Sequence, residues 1–261
     1  MSTLASRLIL GMRVDATSIP AATEQICTWA RRGGSYTVGV ATVNNVMESY
    51  DDPAYLEVMN DADLVTPDGM PLVWGLKLLG VPDATRVYGP SLTPALCARA
   101  AAEGIPVGFY GGAPDVLDAV TARLRARFEG LQIAYTFSPP FRPPTAEEQG
   151  RVIDEVNASG ARILFVGLGA PKQERWMYDH RGKIDAVMVG VGAAFDFIAG
   201  AKRQAPAWMQ GAGLEWLFRL THEPGRLWKR YAKHNPRFVA LFGAQVARER
   251  AARHTDKGDR R

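Results

Sequence analysis

Asp68 sits between Pro67 and Gly69, inside A-D-L-V-T-P-D-G-M-P-L-V-W-G-L-K-L-L-G (62–80). Leu64-Val65 read as the end of a buried strand and Pro71 to Leu79 as an apolar helix. The carboxylate therefore falls where a strand hands over to a helix, fixed by a rigid Pro and a permissive Gly. Two roles fit such a place. A carboxylate there can take a proton from a reacting group, or it can cap the first N–H groups of the helix.

Three glycine turns offer a second kind of chemistry: G-F-Y-G-G-A-P-D (108–115), V-G-L-G-A-P-K-Q-E (166–174) and V-G-V-G-A-A-F-D (189–196). Each follows an apolar strand, and the first two open a helix through Pro114 and Pro171. Glycine lets backbone N–H groups approach a ligand, and a helix N-terminus favours anions, so a nucleotide diphosphate suits Gly111, Gly112, Gly167, Gly169 and Gly192. Any tight strand-to-helix turn also favours glycine, but three on one edge tip the reading towards a ligand. The third glycine of G-x-G-x-x-G is replaced by Lys172 in one turn and Phe195 in another. There is no Walker lysine pattern and no G-x-S-x-G elbow. Dehydrogenases, P-loop ATPases and serine hydrolases are disfavoured.

Metal chemistry is not expected. His180, His222, His234 and His254 lack H-x-x-x-H spacing, and Cys27 and Cys97 form no C-x-x-C pair. Both cysteines read as reduced core residues. Asp61-Ala62-Asp63 matches a D-x-D, but it opens its strand and should lie at the edge opposite the glycine turns.

The elements that must position these residues alternate. Strands are expected at Leu8–Gly11, Tyr36–Thr42, Ala62–Thr66, Val107–Tyr110, Ile133–Phe137, Ile163–Val166 and Ala186–Val191. Helices are expected at Thr17–Arg31, Pro53–Asp61, Pro71–Leu79, Thr93–Glu103, Pro114–Phe128, Thr145–Ala158 and Pro171–Arg181. This order predicts an α/β fold, a mostly parallel Rossmann-like sheet flanked by helices, with ligands beyond the carboxyl ends of the strands. No run nears the ~18 apolar residues of a membrane span, and the first residues do not read as a signal peptide.

Charge divides the chain of 261 residues. Residues 201–261 carry 14 Lys and Arg against 5 Asp and Glu, whereas residues 1–200 carry 17 against 22. We expect two parts: an α/β catalytic domain over 1–200, and a basic, aromatic-rich helical appendage over 201–261 that meets an anionic partner. Arg219, Arg226, Arg230 and Arg237 are spaced to share one helical face, with Leu220, Leu227 and Tyr231 beside it and Trp208, Trp216, Trp228 and Phe238 interleaved. Pro224 and Pro236 are expected to break this segment into shorter helices. The stretch after Ala252 reads as a frayed end.

Seven stretches in order, A-T-V-N-N (41–45), A-D-L-V-T-P-D-G (62–69), R-V-Y-G (86–89), V-G-L-G-A-P-K-Q-E (166–174), G-V-G-A-A-F-D-F-I-A-G (190–200), R-Q-A-P-A-W-M (203–209) and G-L-E-W-L-F-R-L (213–220), resemble the WecG/TagA/CpsF family of bacterial glycosyltransferases. The resemblance runs from about residue 8 to about residue 240. It implies an inverting, metal-independent hexosyltransferase, without a cofactor, that moves a sugar from a UDP-sugar to a polyprenyl-diphosphate-linked sugar. The setting it implies is cell-surface polysaccharide synthesis in the cytoplasm, peripheral on the inner face of the cell membrane. The expected partners are that donor, that acceptor and the membrane surface, with a homo-oligomer left open and nucleic acid not expected.

The resemblance makes Asp68 the general base. Position along the strand ends and in the basic tail suggests the other roles, with Thr42 and Asn44 beside Asp68. Asn45, Arg86, Lys172, Gln173 and Glu174 join the glycines at the nucleotide sugar, where N-capping by Thr42 and the Asn pair, or an acid partner for Arg86, remain alternatives. Arg219, Arg226, Arg230 and Arg237 would meet the acceptor diphosphate or lipid headgroups, or form a flap over the site. Ser91 departs from the pattern, since many members carry an acid shortly after the glycine of R-V-x-G. A nucleotide- or nucleic-acid-binding regulator with a basic tail is the alternative, although no reader motif is present.

Overall fold

A computed structural model describes the backbone of residues 4–258, and the side chains from Leu4 to Ala252 apart from Arg226. A hairpin of β1 (Ser6–Ile9) and β2 (Met12–Asp15) leads into α1 (Ile19–Arg32), β3 (Tyr36–Ala41), α2 (Val43–Asp51), α3 (Pro53–Asp61), β4 (Leu64–Pro67) and α4 (Met70–Leu78). Then come α5 (Gly89–Glu103), β5 (Val107–Gly111), α6 (Pro114–Arg127), β6 (Ile133–Phe137), α7 (Ala146–Ser159), β7 (Ile163–Gly167), α8 (Lys172–Asp179), β8 (Val187–Gly190) and α9 (Ala194–Ala199). Helices α10 (Ala207–Gly211), α11 (Glu215–His222) and α12 (Pro224–Gly258) complete the order.

Six strands form one sheet in the order β4-β3-β8-β7-β5-β6, every neighbour parallel, as the alternation of elements required. The strands are continuous apolar runs because both faces are covered. Val187 and Val189 pack with α1, α5, α6 and α9, while Met188 between them packs with α7 and α8 on the other face. A third core joins the hairpin, α2, α3 and α4 to Phe238, Phe242 and Val246 of α12.

Three expectations need correction. Leu8–Gly11 is not one strand but part of a hairpin that turns at Leu10 and Gly11, with Leu10 at a positive φ of 51°. The strand expected to run to Thr42 ends at Ala41, and a helix that was not expected, α2, follows directly after Thr42. Pro224 does separate α11 from α12, but Pro236 lies within α12 without ending it. A proline inside a helix costs about 3 kcal/mol. Burial of Phe238 and Phe242, each returning about 1.5–3 kcal/mol, offsets that. Polar clasps add to the hold. Arg237 donates to both oxygens of Asp51 on α2 (2.9 and 2.6 Å), Lys233 pairs with the same carboxylate, and Gln245 bridges Leu10 N and Leu8 O of the hairpin. The stretch after Ala252, expected as a frayed end, continues α12 as far as Gly258, and its side chains lie outside the described residues.

Candidate active site

Asp68 leaves β4 at its carboxyl end, its N–H still donating to Ala41 O at 2.8 Å in the parallel ladder. Gly69 takes the N-cap position of α4, and no side chain caps that helix, so the capping role for Asp68 is not the one adopted. The carboxylate turns instead to Arg86. Arg86 Nη2 donates to Asp68 Oδ1 at 3.0 Å and to Glu215 Oε2 at 2.7 Å, and its Nε donates to the Asp68 carbonyl. Of the two partners foreseen for Arg86, the structure shows the acids.

Burial drives the Asp68 carboxyl up to about 6; Arg86 pulls it down, and the negative charge of Glu215 adds to the rise. Asp68 Oδ2 accepts no hydrogen bond from any described residue. At neutral pH this carboxylate is ionised, has one open oxygen, and is a stronger base than an ordinary aspartate.

Asp68 faces a cavity of about 960 Å³, within the upper range for small-molecule sites. Its lining combines polar side chains, Thr42, Asn44, Arg86, Glu215, Arg219 and Arg230, with an apolar part drawn from Trp74 and Leu78 of α4 and Phe238, Val239, Phe242 and Val246 of α12. The helices after residue 200 therefore form one wall and the α/β body the other. Gly213 makes this closure possible. At φ +70° it sets the turn before α11 directly on Trp74, where a Cβ would come within 2.5 Å of the indole.

Buried polar atoms normally find partners. Several at this cavity do not: Asn44 Oδ1, Arg219 Nε, Arg230 Nε and His234 Nδ1 are buried and lack one. Among the described residues, neither Arg219 nor Arg230 has a carboxylate within ion-pair range. Two guanidinium groups open towards one cavity suit a diphosphate.

Not every expected residue reaches this place. Asn45 is buried and occupied, its Oδ1 accepting from Thr42 N (3.0 Å) and Thr42 Oγ1 (2.9 Å), its Nδ2 donating to Tyr55 Oη (2.9 Å) and Glu174 Oε1 (3.2 Å). Glu174 also accepts from Gln173 Nε2 (2.8 Å), and burial raises its carboxyl. Gln173 and Glu174 thus face inward, tying the β7–α8 turn to the start of α2. Arg237 sits on Asp51, and the Arg226 side chain lies outside the described residues. Arg219 belongs to α11 and the other three arginines to α12, so the four do not share one helix.

The three glycine turns lie on the same carboxyl edge of the sheet, but none of their residues lines this cavity. Gly111 has φ +113°, and a Cβ there would meet Gly167 at 2.7 Å, while one on Gly167 would strike the Phe195 ring at 2.6 Å. These two glycines let neighbouring turns touch. Gly169 has open space beside it, and Lys172 is exposed at the start of α8. At the opposite edge, Asp61 and Asp63 both pair with Arg181, the geometry expected for a D-x-D at the start of its strand. Among the described residues no group of three or more His, Cys, Asp or Glu stands together as metal ligands. Ser91 is exposed in the first turn of α5, outside the cavity lining.

Glu215 and His234 were given no role by sequence reasoning. A lone acid among aromatics, in a segment with few acids, was the available signal for Glu215. Its partner Arg86 lies 129 residues away. Among the cavity's lining residues Trp74, Leu78, Trp216, Trp228 and Val239 are exposed, as is Trp208 on α10, so the tail tryptophans are not core residues, whereas Phe238 is. No described helix is long and apolar enough to cross a membrane.

A family model described as glycosyl transferase WecG/TagA/CpsF matches residues 7–253. The match covers both walls of the cavity and the whole sheet, and it favours a transferase over a basic-tailed regulator. With a carboxylate at a strand end, guanidinium groups opposite and nearly the entire chain matched, this protein belongs to the WecG/TagA/CpsF family of glycosyl transferases.

Proposed function

We propose that the protein is an inverting, metal-independent hexosyltransferase that moves a sugar from a UDP-sugar to a polyprenyl-diphosphate-linked sugar during cell-surface polysaccharide synthesis. The observation that carries this reading is the open oxygen of Asp68, raised to about 6, in a cavity that also holds two unpaired arginines. An inverting transfer is one in-line displacement. The acceptor hydroxyl loses its proton to Asp68 as its oxygen bonds to the anomeric carbon, and the bond from that carbon to UDP breaks on the opposite face.

The donor nucleotide lies along the carboxyl ends of β5, β7 and β8, near Gly111, Gly112, Gly167, Gly169, Lys172 and Gly192, with its sugar directed to Asp68. Thr42 and Asn44 hold sugar hydroxyls. Asn45, Gln173 and Glu174 support the site from behind, and Arg86 holds the base. Arg219 and Arg230 take up phosphate charge. The apolar part accommodates the first isoprene units. The exposed tryptophans rest at the membrane interface, which makes the protein peripheral on its inner face. Residues 1–200 supply the catalytic domain and 201–261 the membrane-associating part.

Incubation with a panel of UDP-sugars and a short-chain polyprenyl diphosphate sugar, with the product weighed by mass spectrometry, tests this. We expect one hexose-sized increment, UDP release and full activity in EDTA. Hydrolysis of the donor without glycosylated lipid, across the panel, would exclude the reaction.

A further inference from the structure

The segment after residue 200 does more than wall the cavity, because one of its side chains enters the catalytic pair. We propose that Glu215 is a positioning residue: by holding Nη2 of the Arg86 guanidinium, whose Nε is held by the Asp68 carbonyl, it locks α11 over the site and helps keep Arg86 to a single contact on the Asp68 carboxylate. The inference rests on Asp68 being the base, as proposed above.

Three observations carry it. Arg86 Nη2 is shared between Asp68 Oδ1 and Glu215 Oε2, at 3.0 and 2.7 Å, with the shorter contact to Glu215. All three side chains are largely buried, so the contacts act at low dielectric and are not screened as surface pairs are. An arginine facing one carboxylate alone prefers a two-pronged pairing that engages both oxygens. That arrangement would occupy Asp68 Oδ2, the atom the acceptor hydroxyl needs. The Asp68 carbonyl holds Arg86 Nε and Glu215 takes the second hydrogen of Nη2, so that edge of the guanidinium is committed elsewhere, and the charge of Glu215 opposes the stabilisation of the ionised base.

The charged and titratable groups around Asp68 are few. Arg86 and Tyr88 come from the segment entering α5, and Glu215 and Arg219 from α11. Helix α12 adds Arg230 and His234 to the same cavity. Arg86 and Arg219 favour the ionised form of Asp68, and Glu215 is the acid that opposes them. The acid that keeps the base basic is therefore supplied by the part of the chain that closes the site. Docking of α11 and readiness of Asp68 are one event.

The test is Glu215→Gln, which keeps the shape and an acceptor but removes the charge. The Asp68 carboxyl is followed by carbon-13 NMR in aspartate-labelled full-length protein and assigned by its loss in Asp68→Asn. We expect its midpoint to fall from about 6 towards the ordinary value of about 4. The acid limb of kcat/KM should move to lower pH, with a lower plateau as the base weakens. Glu215→Ala should do the same and also raise protease sensitivity between α10 and α12. A midpoint and acid limb unchanged in both variants would overturn the proposal, even if activity fell, since a merely structural role predicts that outcome. The two failures are distinguishable. Transfer surviving in Asp68→Asn removes the base assignment, whereas loss in Asp68→Asn with an unmoved midpoint in Glu215→Gln removes only the role of Glu215.

Discussion

The carboxyl ends of β3 and β4 and those of β5, β7 and β8 lie on one edge of one sheet, yet they treat their polar groups differently. Beside β7, Gln173, Glu174, Asn45 and Tyr55 share buried hydrogen bonds, and Gly111 and Gly167 pack turn against turn, although Glu174 Oε2 is itself buried without a partner. Beside β4, Asp68 keeps an oxygen open, and Asn44, Arg219, Arg230 and His234 leave buried atoms without partners. Folding alone would not retain several unpaired buried polar atoms in one cavity, since each costs about 1–3 kcal/mol. The first region is built to hold a shape; the second is built to receive something.

The sharpest break would come at Asp68. Replacing it with Asn should lower kcat by about 10²–10⁴-fold while UDP binding by calorimetry persists; near-normal turnover would erase the distinction between the regions. The same variant should not be less stable. A carboxyl raised in the folded state favours folding while protonated, and that contribution disappears as pH rises through about 6. Removing the charge should therefore raise stability near pH 7.5, by up to roughly 2 kcal/mol, read by urea denaturation. Below pH 6 the gap between variant and wild type should close, and the wild-type rate should fall with protonation of Asp68.

Arg219→Ala and Arg230→Ala should each slow transfer about 10–100-fold, the weight of one hydrogen bond to a charged group, with little change in melting temperature. A parallel loss of stability would mean that these arginines hold structure after all. The glycine turns offer a finer test. Gly167→Ala drives a methyl group into Phe195 and should cost about 1–3 kcal/mol of stability. Gly169→Ala meets no neighbour, carrying only the roughly 1–2 kcal/mol strain of its positive φ, and should act chiefly on KM for the donor. The smallest effect concerns the rim. Trp208→Ala with Trp228→Ala should weaken sedimentation with anionic vesicles while leaving turnover of a soluble short-chain acceptor within about twofold, because exposed side chains change stability little.

Much of the architecture was legible because parallel strands buried on both faces leave unbroken apolar runs, and helices begin at prolines and caps such as Pro53 and Pro114. The hairpin was not legible, since its turn uses Leu10-Gly11 and lacks the Asn-Gly signal. Helix α2 was hidden because A-T-V-N-N reads equally well as a strand end. Helix α12 passes through Pro236 because distant aromatics hold it, which no local pattern announces. Within the site, Asp68, Thr42, Asn44, Arg219 and Arg230 were singled out from sequence and do line one cavity. Asn45 and Glu174 were singled out too, but their side chains bond to each other across 129 residues of chain, which no local pattern shows. Glu215 was invisible for the same reason, since its meaning resides in Arg86.

Strand β8 is the last of the sheet to be synthesised, yet it lies in the middle, between β3 and β7. Until Val187–Gly190 leaves the ribosome, the β3–β4 pair and the β7–β5–β6 trio have no hydrogen bonds to each other. A chain stopped short of this strand lacks the ladder that joins the two groups of strands into one carboxyl rim. A single late insertion joins them, and only after it can the closing helices find the surface on which they settle.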